Sequence, residues 1–339
     1  MRILLDDSHC RNALFPFTHT RHVAQIRIGI LTIQEKWEKL TGKKVYLKSG
    51  QAPDNAIKIP ANIIPSLCNY ETILKNNHTE DVRVLTHPWQ IYEWNDWAIK
   101  DDFLLITNGR HSATISKTNN IINPGQVFLE PGASVEYCII NAEKGPVYIG
   151  ANAQMMEGCL VRGSFSLCEN ATLKMGAKIY GATTLGPDCV AGGEIKNTVL
   201  FSHSNKAHDG YLGDSVIGSW CNLGAGTSNS NVKNTGAAVK YKIDKEAGFQ
   251  LAGNKAGLLM GDYSRCAINT SFNTGTVVGI CCNIFSVEMP AVYIPNFTWN
   301  NEPYIFEKAI ADICNWKQMK GATMAEEELQ QLKKLYESK

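Results

Sequence analysis

Between residues 149 and 191 the apolar residues recur every six positions. Ile149, Met155, Val161, Leu167, Leu173, Ile179, Leu185 and Ala191 are all hydrophobic, and seven of the eight are large. In a chain that is 44% hydrophobic, a full run of eight in a fixed frame has a chance of roughly one in 700. A helix cannot keep apolar residues on one face at this period, and a simple strand would place them at every second position. The position four later is mostly small: Ala153, Cys159, Phe165, Ala171, Ala177, Thr183, Cys189 and Ile195. Large and small therefore alternate as a narrow triangular coil requires. Each hexad makes one flat side, and three sides make one turn of about 18 residues.

The same spacing begins earlier in a shifted frame at Leu129, Ala133, Val135 and Ile139. It resumes at Leu212, Ile217 and Leu223, and returns at Met260, Cys266, Phe272, Val278 and Ile284. The expected fold is mainly β: a left-handed parallel β-helix of hexapeptide repeats over 103–290, with a small N-terminal α/β domain over 1–102 and C-terminal helices over 291–339. Cys159, Cys189 and Cys282 fall at small inward positions and read as core residues rather than metal ligands.

In the first region Arg2 to Leu5 reads as a strand, Lys44 to Leu47 as another, and Ile26 to Leu40 as a helix, with or without a short extended start. His87-Pro88 opens a further helix. Its Trp89, Trp94 and Trp97 suit packing onto neighbours better than a sugar-stacking surface. At the other end, helices are expected from Tyr304 onward and over Met324 to Tyr336, as a cap on the coil or a contact between subunits.

Composition removes several functions. Lys+Arg is 33 against Asp+Glu 32, so bulk charge does not direct the chain to nucleic acid. No apolar run approaches the ~20 residues that span a bilayer, and the N-terminus turns polar too soon for a signal peptide. Eleven cysteines, an odd number with no CxxC pair, exclude a complete disulfide framework and leave a zinc site unsupported. The expected location is the cytoplasm, with reduced thiols and no resident metal.

The hexads break at Ser202-His203-Ser204-Asn205-Lys206-Ala207-His208-Asp209-Gly210-Tyr211, which reads as a loop projecting from a rigid prism. Gly192 to Asn197 precedes it and Asn222 to Asn231 follows. With one turn every ~18 residues, side chains from 194–196, 208–211 and 222–231 can gather at one edge. That brings His, Lys, Glu, Tyr and Asn together, a catalytic inventory. Plainer readings stand beside it: a solvated His208, a solvent-facing Lys196, and asparagines that turn corners, the reading preferred for Asn229. His203 reads as a supporting or exposed residue. Asn222-Leu-Gly-Ala-Gly-Thr227 is no phosphate loop, since no GK[ST] follows.

The run EIKN…SNKAHDGYLGD…IGSWCNLGAGTSNSN resembles the acetyltransferase half of the GlmU family, bifunctional enzymes that acetylate glucosamine 1-phosphate and uridylylate the product. The likeness is specific over about 190–231. It implies His208 as the general base toward an attacking sugar amine. It implies Lys196 and Lys178 as holders of the sugar phosphate, Tyr211 and Asn222 as sugar contacts, and Glu194 as an orienting residue. Ala225 and Asn231 would meet acetyl-CoA, the acyl donor. A homotrimer with each site between two prisms is implied as well. Val232 and Lys233-Asn234 depart from the family's aromatic residue and Asp-Gly, and Lys206 lies nearer the histidine than the family's lysine does.

Leu4 to Thr18 is similar to the start of sugar nucleotidyltransferases, where a strand runs into G-G-x-G-T-R-L-x-P-L-T. Arg11 and Leu14 to Thr18 survive, but the glycines do not, and side chains there obstruct backbone contact with a triphosphate. The expected N-terminal domain is thus degenerate: a docking piece or a weak sugar-nucleotide binder. Asp6 and Asp7 would hold magnesium only if nucleotidyl transfer survived. Arg11 and Arg21 read as surface charges rather than phosphate contacts. The expected function is acyl-CoA-dependent transfer to an amino sugar phosphate or nucleotide sugar. The alternatives are a sugar-1-phosphate nucleotidyltransferase and a non-catalytic sugar-nucleotide-binding scaffold.

Overall fold

A computed structural model describes residues 2–75, 82–246 and 248–338; Met1 and Lys339, the outer limits of the expected regions, lie outside them. The hexads form a triangular left-handed parallel β-helix. Its stacked strands build a 13-stranded sheet that bends around two faces and a 10-stranded sheet on the third. Register follows the repeat: Gln154 pairs with Thr172, and Thr172 with Val190, each 18 residues on. All eight large positions from Ile149 to Ala191 are buried, as are the eight positions four later. Asn152, Asn170 and Asp188 turn corners at φ of 54°, 56° and 58°, a left-handed conformation that short polar side chains tolerate.

The polar run 202–211 is not a projecting loop. Asn205–Lys206 is a strand of the 10-stranded sheet, paired below with Val190 and Ala191 and above with Asn222. The turn is merely short, 15 residues from Val190 to Asn205 and then 17 to Asn222. Its inward positions are polar but satisfied: Ser204 is buried and donates to the Gly218 carbonyl at 2.6 Å. Polar residues pointing inward disguised a regular level of the coil.

The true excursion comes later. Between Ser228–Asn229 and Leu258–Met260 the chain leaves the prism and forms an antiparallel hairpin, Val239–Tyr241 against Gln250–Gly253. Tyr241 is fully buried there and stacks on Trp89 at 5.4 Å.

The N-terminal lobe has a three-stranded parallel sheet with Ile3–Asp6 in the middle. Extended chain runs through an Arg27–Thr32 bridge before the helix Ile33–Thr41, so the helix starts later than Ile26. A reciprocal Thr32–Glu35 capping box fixes that start. The lobe lies on one prism face: outward-pointing Val199, Phe201, Val216, Leu259 and Val277 share a buried cluster with Phe17, Trp37 and Trp89. At ~1.5–3 kcal/mol for each large apolar side chain buried, this seam holds the lobe firmly. The helices Phe306–Met319 and Glu326–Glu337 pack beside the prism against Tyr263, Ile280, Cys281 and Phe297 rather than over its end. Among the described residues no helix is long and apolar enough to cross a membrane.

Candidate active site

Three strands lie in register on the face that lobe and tail leave open: Lys178–Tyr180, the first half of Glu194–Leu200, and the first half of Tyr211–Ile217. Lys178 pairs with Glu194 and Glu194 with Tyr211, so these three form one outward column. Tyr180, Lys196 and Gly213 form the column beside it. The Tyr180 hydroxyl donates to Glu194, and that bond, with a smaller contribution from burial, pushes the phenol up to about 12. Lys196 Nζ sits 5.7 Å from the Tyr180 ring centre.

Tyr211 is anchored from the side. Asn231 donates to the Tyr211 hydroxyl at 3.0 Å and to Asp214 at 2.5 Å, while Asn197 donates to the other Asp214 oxygen at 2.7 Å. Burial and then the Asp214 carboxylate push the Tyr211 phenol well up. Gly213 permits this arrangement, since a Cβ there would stand 2.2 Å from the Tyr211 hydroxyl. Asn229 uses its side chain as a surrogate backbone: it accepts from Gly213 N at 2.8 Å and donates to Gly213 O at 3.1 Å. It therefore extends the ladder rather than turning a corner.

His208 sits at the corner that leads into Tyr211. Its side chain is exposed and makes no hydrogen bond or ion pair among the described residues. Gly210, at φ 117°, completes the corner against the Thr227 carbonyl. Gly226 N donates to Asp209 O at 3.0 Å, which sets Ala225 one level from His208 on the same edge. Asn222 lies on the other flank of this edge, pairing with Asn205 and Arg265. The register thus unites Lys178, Glu194, Lys196, Tyr211 and Asn231 on one flank, His208 and Ala225 on the edge, and Asn222 around the corner. His203 belongs to a different edge, stacked on Trp220 at 4.1 Å and facing Asp188 at 3.6 Å.

Four contributors escape sequence reasoning: Tyr180, Asn197 and Asp214, whose bonds tie the column together, and Lys206, which spacing alone marks.

The N-terminal loop is engaged internally. Arg11 bonds Asp7 at 2.7 Å and the Thr18 carbonyl at 2.5 Å. Arg21 bonds Asp262 and Ser219 of the prism and lies over Phe201, 4.6 Å from its ring centre. Neither arginine is a loose surface charge, because each guanidinium has a carboxylate to hold. Asp6 is taken by Lys58 and Ser8, and Asp7 by Arg11, His22 and Val23 N. This donor set does not fit magnesium, and among the described residues no group of three His, Cys, Asp or Glu is placed to hold a metal.

The sugar nucleotidyl transferase family profile matches residues 2–52. The bifunctional protein GlmU of Trichormus variabilis is 33% identical over 252 residues, covering 67% of this chain and 51% of that protein. The GlmU of a Nostoc species is 36% identical over 245 residues, with the same two coverages, 67% and 51%. The UDP-N-acetylglucosamine acyltransferase of Francisella novicida, a solved structure, is 14% identical at a TM-score of 0.30 over 67% of this chain and 78% of its own, too loose a likeness to build on. A nucleotidyltransferase-type lobe on a hexapeptide-repeat prism defines a GlmU-like architecture. The chain belongs to the GlmU-like family, and it spans about half the length of these GlmU relatives.

Proposed function

We propose that the protein is an acyl-CoA-dependent transferase, acetyl-CoA being the donor, that acts on an amino sugar phosphate or nucleotide sugar. The observation that carries this reading is the Lys178–Glu194–Tyr211 column, in register on an uncovered face beside the edge that bears His208. Lys178 and Lys196 offer positive charge to the acceptor's phosphate, Tyr211 offers a polar contact to the sugar, and Asn231, bonded to the Tyr211 hydroxyl, offers one to the donor. His208 takes a proton from the amine as its nitrogen attacks the thioester carbonyl. The tetrahedral intermediate then expels the CoA thiolate, which recovers that proton, leaving the amide and free CoA. Ala225, one level above His208, offers backbone to the donor.

The reading extends to three copies around an axis. Ile139 and Leu160, 49% and 45% exposed, continue the Lys178 column as an apolar strip suited to a second prism. A neighbouring copy is also what would bring an Asn222 flank to face this one. The lobe serves docking rather than nucleotidyl transfer. Thiol release from acetyl-CoA against a panel of amino-sugar phosphates tests the reading: turnover with at least one acceptor is expected, and none with any would overturn it.

A further inference from the structure

We infer that Lys206 is a positioning residue for the proposed transfer, holding from inside the prism the corner that carries His208. Its place is a core slot. The stack runs from Leu173 to Ala191 to Lys206, then through Leu223 to Cys266, and every other member is apolar or a buried thiol. Lys206 itself has no exposed surface. Among the described residues no carboxylate pairs with its ammonium. The ammonium turns instead to backbone, donating to the carbonyl oxygens of His208 and, at 3.1 Å, Asp209.

Packing alone does not call for this residue, because apolar side chains fill the same slot on the neighbouring levels. A buried ammonium without an ion pair carries a real desolvation cost. Burial pushes it down to about 8, with the Asp209 carboxylate and the Cys266 thiol opposing that shift. What the lysine supplies is donors for a corner whose carbonyl oxygens point inward. The Asp209 carbonyl also accepts from Gly226 N. The ammonium is the one partner recorded among the described residues for the His208 carbonyl. Without it that oxygen would be buried and unpaired, a cost of ~1–3 kcal/mol that the corner can escape by turning outward. Turning the carbonyl outward swings His208, so the stem of the proposed base is set by a bond to its own main chain.

This inference rests on the reading of His208 as the base, and its test separates the two. Lys206→Met keeps the length and apolar stem but removes the donors. Leu173→Ala, two levels away in the same stack, loosens the core without touching the corner. In the Lys206→Met variant, backbone hydrogen exchange over 207–211 is expected to speed up about tenfold or more. Its kcat is expected to fall about tenfold, with KM for donor and acceptor within about twofold. Leu173→Ala should lower the melting temperature with neither change. Exchange over 207–211 within about twofold of wild type would overturn the inference, as would equal losses of kcat in the two variants. If the wild type transfers no acyl group, the reading of His208 falls, while the exchange comparison still decides whether Lys206 pins the corner.

Discussion

The loop from Asp6 to Thr18 and the edge at His208 draw on the same kinds of side chain and use them in opposite ways. In the loop, Asp6, Asp7 and Arg11 are all bonded to protein partners, so their charges hold the lobe together. At the edge, His208 and Lys178 stand exposed on a rigid frame, and what is bonded lies behind them: Asp214, Asn197, Asn231 and Lys206. Residue type therefore says little about availability. A charged loop whose partners are internal serves architecture, while a charged edge backed by a buried network stays open, which is what the proposed ligand site requires.

The largest expected effect is at the edge. His208→Ala should cut acyl transfer by ~100-fold or more, the scale of a lost general base. The melting temperature should move by no more than about 1 °C, because an exposed side chain without partners contributes little to stability. Steady-state kinetics beside a thermal melt decides it, and unchanged turnover would erase the contrast. Next comes the seam between lobe and prism. Arg21→Met takes the cation from Asp262, whose side chain is 3% exposed and keeps the Thr20 hydroxyl and Ser219 N as donors, and breaking such a pair costs ~3–5 kcal/mol. Urea unfolding should show that loss, while transfer per folded molecule stays near wild type.

Acid should weaken the same seam. His19 stacks on Phe15 with ring centres 3.8 Å apart, and its Nε2 lies 3.3 Å from Asn296 Nδ2 of the prism. Burial, the dominant cause, pushes it from 6.5 down to about 4. The folded protein thus keeps this imidazole neutral where the unfolded chain has begun to protonate. Stability should therefore fall as pH drops from about 6.5 toward 4, by on the order of 2–3 kcal/mol at most. His22, His87 and His203 are also lowered, so the measurement is a difference: urea midpoints between pH 7 and 4.5 for wild type and His19→Gln. The variant should show a shallower fall, and parallel curves would remove His19 from the seam's acid response.

The prism was legible because its period is set by main-chain geometry and recurs over many levels, so single exceptions do not hide it. It was misread where side-chain identity ran against position. Ser204 and Lys206 are polar at inward positions, and only their bonds to carbonyl oxygens show that the coil continues. The hairpin at 239–253 left a trace only in the 37 residues between the apolar positions Leu223 and Met260, twice the usual turn. In the lobe, Trp89 packs against Tyr241, which fits the packing reading, but no pattern along the chain links Trp89 to a hairpin 150 residues away. The internal partner of Arg21 was hidden for the same reason, since Asp262 lies 241 residues away, whereas Arg11 bonds Asp7 and the Thr18 carbonyl within its own loop, a fold of the chain that no periodicity announces. At the edge, spacing near one turn predicted the company of Glu194, Lys196 and Tyr211. It could not tell which side of a corner Asn222 would occupy.

The smallest effect sharpens the comparison most, because it sets two lysines against each other. Lys196 leans toward the Tyr180 ring, whose hydroxyl is tied to Glu194, so its ammonium is placed but has no carboxylate partner among the described residues. Lys58 of the lobe is more exposed, at 65%, yet is already paired with Asp6 at 2.9 Å. A phosphate on the acceptor would gain about 1.4 kcal/mol from one such ammonium, which is tenfold in affinity. Lys196→Met should accordingly raise the acceptor KM about tenfold while leaving kcat within about twofold. Lys58→Met should change neither, since its charge is spent on a carboxylate at the mouth of the loop. Added salt should weaken acceptor binding in the wild type and have less effect on Lys196→Met, because the screened interaction is the one removed. If the two lysines respond alike, the open face is not where the acceptor's phosphate sits, and the contrast between a spent loop and a ready edge loses its chemical meaning.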